Sequence, residues 1–153
     1  AIDLTKGHIY WKDSNLMFRG CNQELAKFLG LADRREIVGK NDYDICPVKE
    51  EADRIRAYDQ RILDTGEERQ FESSFTCSNG EVKYFLAHQC PIFSEGGKII
   101  GVIGTSIDIT AHKKLHLLEK KYYAEEERTK VMSLLANSIA HELRTPLASM
   151  TLG

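Results

Sequence analysis

Asn79-Gly80, near the middle of the chain, constrains the fold more than any other pair of residues. Asn and Gly both tolerate left-handed backbone, and together they form the strongest short-range sign of a β-hairpin. The segments on either side suit strands. Glu68–Ser78 carries Phe71, Phe75 and Thr76, while Glu81–Pro91 carries Val82, Tyr84, Phe85 and Leu86. A further turn is expected at Glu95-Gly96-Gly97, followed by the β-branched run Lys98–Ile109 with glycines at 101 and 104.

The upstream half supplies two more strands and the helices. His8–Asp13 and Leu16–Cys21 flank Ser14-Asn15 and read as another hairpin, after a lead-in over residues 1–7. Asn22 is placed to cap a short helix, Gln23–Leu29, which puts Leu25, Phe28 and Leu29 on one face and stops at Gly30. A small turn is expected over Arg34–Val38, then a polar loop, Gly39-Lys40-Asn41-Asp42-Tyr43-Asp44, leading to Pro47. From Val48 to Thr65, Ala52, Ile55, Tyr58 and Ile62 recur at helical spacing, with Gly66 after them. This helix should lay one face on the sheet.

Two strands, short helices with one longer helix, then three strands: in that order residues 8–110 resemble a PAS domain. The loop at residues 39–44 looks like the one before the long PAS helix, and Asp108-Ile109-Thr110 looks like the Asp-Ile-Thr ending of the last PAS strand. The resemblance implies an α+β fold, a five-stranded antiparallel sheet with helices on one face and an enclosed small-molecule cavity. Residues 1–110 would be the sensor. Ile9, Met17, Phe28, Ile55, Phe75, Phe85 and Ile103 are apolar candidates for its interior, and the six after Ile9 are the candidate ligand pocket. Asp108 and Thr110 stand where strand gives way to helix, Thr110 able to cap the new helix and Asp108 to hold the junction, so both are candidate relay residues. The loop lacks the Asn-Cys-Arg of flavin-adduct PAS domains, because Asp42 follows Asn41. The long helix lacks the ligand His of haem-binding ones. An unidentified small-molecule ligand is the remaining expectation.

From Ala111 the composition shifts to Lys, Glu and Leu, as in a long helix. A heptad seam runs through Leu115, Leu118, Tyr122, Glu125, Thr129, Met132, Ala136, Ile139 and Leu143. Such seams are buried by a second chain, so a parallel homodimer is expected: residues 111–130 as a coiled-coil signalling linker, widening to a four-helix bundle over 131–153.

The helix ends in His141-Glu142-Leu143-Arg144-Thr145-Pro146-Leu147. In the register above His141 falls at position f, away from the seam and open to a partner. A phosphoryl-accepting His needs a free ring lone pair, which an imidazole with the usual pKa of about 6.5 mostly provides at neutral pH. A carboxylate follows it directly, and Thr145 lies one turn on along the same face. Pro146 cannot donate to the carbonyl of Glu142 and should bend the helix there. These seven residues resemble the H-box of sensor histidine kinases without a gap. The resemblance implies His141 as phosphoacceptor, Glu142 and Thr145 as catalytic-support and phosphatase residues, and phosphotransfer to an aspartate of a response-regulator receiver domain. ATP and Mg would be held by an ATP-binding domain outside these 153 residues, since no Gly-rich phosphate loop is present. This segment, a truncated phosphoacceptor (HisKA) helix, would be inactive alone. The alternative is a non-enzymatic PAS module for ligand binding or dimerisation with a vestigial H-box.

Composition narrows the remaining classes. With 21 basic and 23 acidic residues the net charge is −2, which argues against a nucleic-acid partner. No apolar run reaches the roughly 20 residues of a membrane span, so a cytoplasmic segment is expected. The four cysteines, 21, 46, 77 and 90, stand singly and are expected to be free thiols. His112 and His116 are one turn apart on a charged helix. No metal site is expected.

Overall fold

The computed structural model describes residues 6–152, with side chains through 149; the start of the expected lead-in lies outside the described residues. The chain divides into two compact units, Ala1–His112 and Lys113–Gly153.

In the first unit five strands form one sheet: β1 (His8–Asp13), β2 (Phe18–Cys21), β3 (Arg69–Thr76), β4 (Val82–Phe93) and β5 (Ile99–Asp108). Their order is β2-β1-β5-β4-β3 and every neighbouring pair is antiparallel. Between β2 and β3 lie α1 (Gln23–Phe28), a 3-10 helix (Arg34–Ile37), α2 (Asp42–Ile45) and α3 (Lys49–Thr65). The core gathers Phe18, Cys21, Leu25, Ala26 and Ile37. Fully burying a side chain such as Phe18 or Ile62 contributes about 1.5–3 kcal/mol.

Local chemistry explains the boundaries. Asn22 caps α1, its Oδ1 accepting from Leu25 N–H at 3.2 Å. Gly66 closes α3 in the left-handed conformation, at φ 71°. The hairpin at Asn79-Gly80 is present but longer than the two-residue turn. β3 ends at Thr76, β4 starts at Val82, and Cys77 N–H donates to Glu81 C=O at 2.8 Å. Only Gly80 takes positive φ, while Asn79 Oδ1 accepts from Glu81 N–H at 2.9 Å. The Asn side chain thus holds the turn and the Gly bends it.

Two expectations need correction here. The polar loop before Pro47 contains α2, a four-residue helix made by reciprocal capping. Asn41 Oδ1 accepts from Asp44 N–H at 3.2 Å, and Asp44 Oδ2 accepts from Asn41 N–H at 2.8 Å. β2 begins at Phe18, not Leu16, because Asp13 Oδ1 gathers the N–H groups of Asn15 and Met17 at 2.9 and 3.1 Å. Leu16 is left at φ 59° inside that turn.

The second unit is helical. α4 runs from Thr110 to Leu152 as one helix of 43 residues, with Pro146 inside it. Its apolar side chains through residue 149, Leu115, Leu118, Tyr122, Met132, Ile139 and Leu143 among them, are exposed in the single chain. Among the described residues no helix is long and apolar enough to cross a membrane.

Candidate functional site

Strand alternation decides which side chains face the helices. On β1, His8, Tyr10 and Lys12 point inward, and on β4 Phe85, Ala87 and Gln89 do. With α1, α2 and α3 they line a cavity of about 110 Å³, partly open to solvent. Phe28, Ile55, Phe75 and Phe85 line it with Phe18, Leu25, Phe71 and Ser73. Phe28 sits at the aromatic centre, its ring centroid 5.0 Å from His8, 5.4 Å from Phe75 and 5.5 Å from Phe85.

Ile103 and Met17 lie elsewhere, which corrects the expected pocket. Ile103 is on the other face of β5, opposite Trp11 and Cys90 in register, and both Ile103 and Trp11 are exposed. Met17 is half-buried and does not line the cavity, while its neighbours Leu16 and Phe18 are buried. Ile9 is likewise on the outer face.

Behind the cavity, reached through its lining residues Asp42 and Gln89, lies a buried ionic cluster that no apolar pattern announced. Lys12, fully buried, donates from Nζ to both carboxylate oxygens of Asp42 at 2.8 and 2.7 Å and to Asp59 Oδ2. Arg56 stands 3.6 Å from Asp42, so two cations balance two carboxylates. Gln89 Nε2 donates to Asp59 Oδ1 at 2.6 Å and to the Tyr10 hydroxyl at 3.1 Å. Among the described residues, Gln89 Oε1 is buried with no hydrogen-bond partner. Burial raises Asp59 above the usual carboxylate range against the pull of Lys12. Burial, then the charge of Asp59, pushes the Tyr10 hydroxyl well above its usual value. Burial, then the charge of Asp42, carries the Cys46 thiol up to about 12, which leaves it an inert apolar filler. The visible signal in the sequence was the alternation His8-Tyr10-Lys12, which places a lysine on the buried face.

The strand-to-helix junction distributes its roles differently from the expectation. Asp108 Oδ1 accepts from Thr110 N–H at 2.8 Å, so Asp108 satisfies the first helical donor. Thr110 Oγ1 instead accepts from Tyr84 N–H on β4 at 2.9 Å.

On α4, His141, Glu142 and Thr145 are all exposed and share the stretch that contains Pro146.

Comparison with known proteins fixes the family. A family model described as PAS fold matches residues 4–114. The chain belongs to the PAS fold family. It is 24% identical to the aerobic respiration control sensor protein ArcB of Escherichia coli over 147 residues, 95% of this chain and 18% of ArcB. It is 30% identical over 115 residues to sporulation kinase C of Bacillus subtilis, 72% of this chain and 26% of that one. The chain therefore spans about a fifth to a quarter of these relatives. One of these relatives is named as a sensor protein and the other as a kinase. Among solved structures, the Vibrio cholerae VqmA–ligand–DNA complex aligns with a TM-score of 0.61 at 25% identity, over 66% of this chain and 46% of that one. The same PAS fold thus occurs in a DNA-binding protein.

Proposed function

We propose that this chain is the sensory and phosphoacceptor segment of a two-component sensor histidine kinase. A small molecule in the PAS cavity biases the end of β5, and α4 carries that bias to His141, which takes the γ-phosphoryl of ATP and passes it to a response-regulator aspartate. One observation carries the reading. The strand that ends in the Asp108–Thr110 junction continues without a break into the helix that presents His141, Glu142 and Thr145 to solvent.

The chemistry of each part supports its role. The cavity is close to the roughly 150 Å³ apolar void that accepts a benzene, so its ligand is a single-ring molecule. Gln89 lines the cavity, and its Oε1, an acceptor without a partner among the described residues, would take a hydrogen-bond donor on that ring after a small side-chain shift. The similarity to VqmA, which was solved with a ligand, agrees with this use of the fold. On α4, an exposed imidazole is a competent nucleophile, Glu142 is placed to take its proton, and Thr145 with Glu142 is placed to orient water for the reverse reaction. Exposed Leu115, Leu118, Tyr122, Met132, Ile139 and Leu143 form the dimer seam.

The test is phosphorylation of the purified chain by a separately supplied histidine-kinase ATP-binding domain with Mg·ATP. Acid-labile label on the wild type and none on His141→Gln is expected. Equal labelling of the two, or none on either, overturns the phosphoacceptor assignment.

A further inference from the structure

The face of the sheet turned away from the helices carries a second cluster with its own chemistry. His88 and Cys90 alternate along β4 and so emerge on the same side, opposite Ala87 and Gln89 in the cavity wall. Arg69 pairs with Gln89 at the start of β3, which brings Glu68, one residue earlier, beside them. Glu68 Oε2 lies 2.9 Å from His88 Nε2 and 3.3 Å from Cys90 Sγ. The nitrogen, sulfur and carboxylate oxygen all fall within 4.8 Å of one another.

We propose that Glu68, His88 and Cys90 bind a divalent transition metal of the zinc class, with the fourth position open to water. A tetrahedral zinc ion at its usual bond lengths of about 2.0–2.3 Å sets its ligand atoms roughly 3.3–3.8 Å apart; the Glu68 oxygen stands 2.9 and 3.3 Å from the other two ligand atoms, which lie within 4.8 Å of each other, so small side-chain rotations close the set. Thiolate plus imidazole selects zinc-like ions over Mg²⁺ and Ca²⁺, which take mostly oxygen ligands in sixfold or higher coordination. Two ligands sit on a central run of strand and are held by its pairing. The third comes from the short link after Gly66, so metal binding would pin the entry to β3 against β4.

Binding forms the metal–sulfur bond and releases the thiol proton to solvent, one proton per ion. This site was absent from the sequence expectations because Glu68 lies 20 residues from His88, and only the hairpin register joins them.

The test is titration of the whole chain with cobalt(II), a spectroscopic substitute for zinc. One equivalent should give visible ligand-field bands and a near-ultraviolet thiolate-to-cobalt band, both abolished by excess zinc(II). Cys90→Ser should remove the thiolate band, and His88→Ala and the surface change Glu68→Gln should each weaken binding by at least about tenfold. Cys77→Ser and His112→Gln should leave the spectrum unchanged. Absence of the thiolate band, its survival in Cys90→Ser, binding unaltered in both His88→Ala and Glu68→Gln, or failure of zinc to displace cobalt would each overturn the assignment.

Discussion

Thr110 and Tyr84 are joined by a 2.9 Å hydrogen bond in which the Tyr84 backbone N–H donates to the Thr110 hydroxyl. The first residue of α4 is therefore fastened to the neighbouring strand and not to its own helix. Ile109 N–H adds a second tie, donating to Tyr84 C=O at 2.8 Å. Tyr84 is next to Phe85, which lines the cavity. A change in cavity occupancy thus lies one residue from the anchor of the output helix.

The ionic cluster predicts a large stability loss on breaking it. Lys12→Met removes the cation between Asp42 and Asp59 and leaves two buried carboxylates with Arg56, 3.6 Å from Asp42, as the remaining cation of the cluster. Urea unfolding should show a loss of about 3–5 kcal/mol. A loss below about 1 kcal/mol would mean that the cluster is dispensable for the fold.

His8 predicts a pH dependence. Burial lowers its pKa below the ordinary 6.5, so the unfolded chain takes up a proton before the folded one does. Its contribution is complete above pH 6.5 and is lost as pH falls through the window from that value to the folded pKa. Denaturation midpoints measured between pH 7 and about 5 should therefore fall with pH, and His8→Gln should flatten part of that slope. An identical slope in the variant would contradict the assignment to His8.

Much of this architecture was readable beforehand, and the reasons differ from part to part. The strands and α3 were legible because apolar periodicity is a local property: Ala52 and Ile62 are buried where their spacing put them. α2 was missed because four residues carry no periodicity, only the caps of Asn41 and Asp44. Phe28, Phe75 and Phe85 could be placed by type, whereas Ile103 was misplaced because hydrophobicity alone does not say which face of β5 is inside. Lys12, Asp59 and Gln89 were invisible as a group, since each is ordinary in its own segment and only the fold brings them together.

Gln89 predicts ligand selectivity. With Gln89 lining an apolar cavity and its Oε1 unpaired among the described residues, phenol should bind more tightly than benzene by about one neutral hydrogen bond, roughly 0.5–1.5 kcal/mol or 2- to 10-fold. Thermal-shift titration of both compounds checks this, and Gln89→Leu should abolish the preference. Equal affinities in the wild type would remove Gln89 from ligand recognition.

The seam of α4 predicts an oligomeric state. Leu118 is exposed in the single chain, and Leu118→Asp would place a charge at its core position in a dimer. Sedimentation should show a dimer for the wild type and a weakened one for the variant. An unchanged dimer would mean that the sheet unit makes the contact.

The most direct test of the account is the rate of His141 phosphorylation when Thr110 is replaced by Val, in the chain joined to the remaining bundle helix and ATP-binding domain of a histidine kinase. Thr110→Val deletes the acceptor for Tyr84 N–H while keeping a β-branched side chain of similar size. Loss of about 1 kcal/mol of coupling should change the rate by about fivefold in either direction, with circular dichroism unaltered. A rate identical to the wild type in a folded Thr110→Val protein would contradict a relay through this junction.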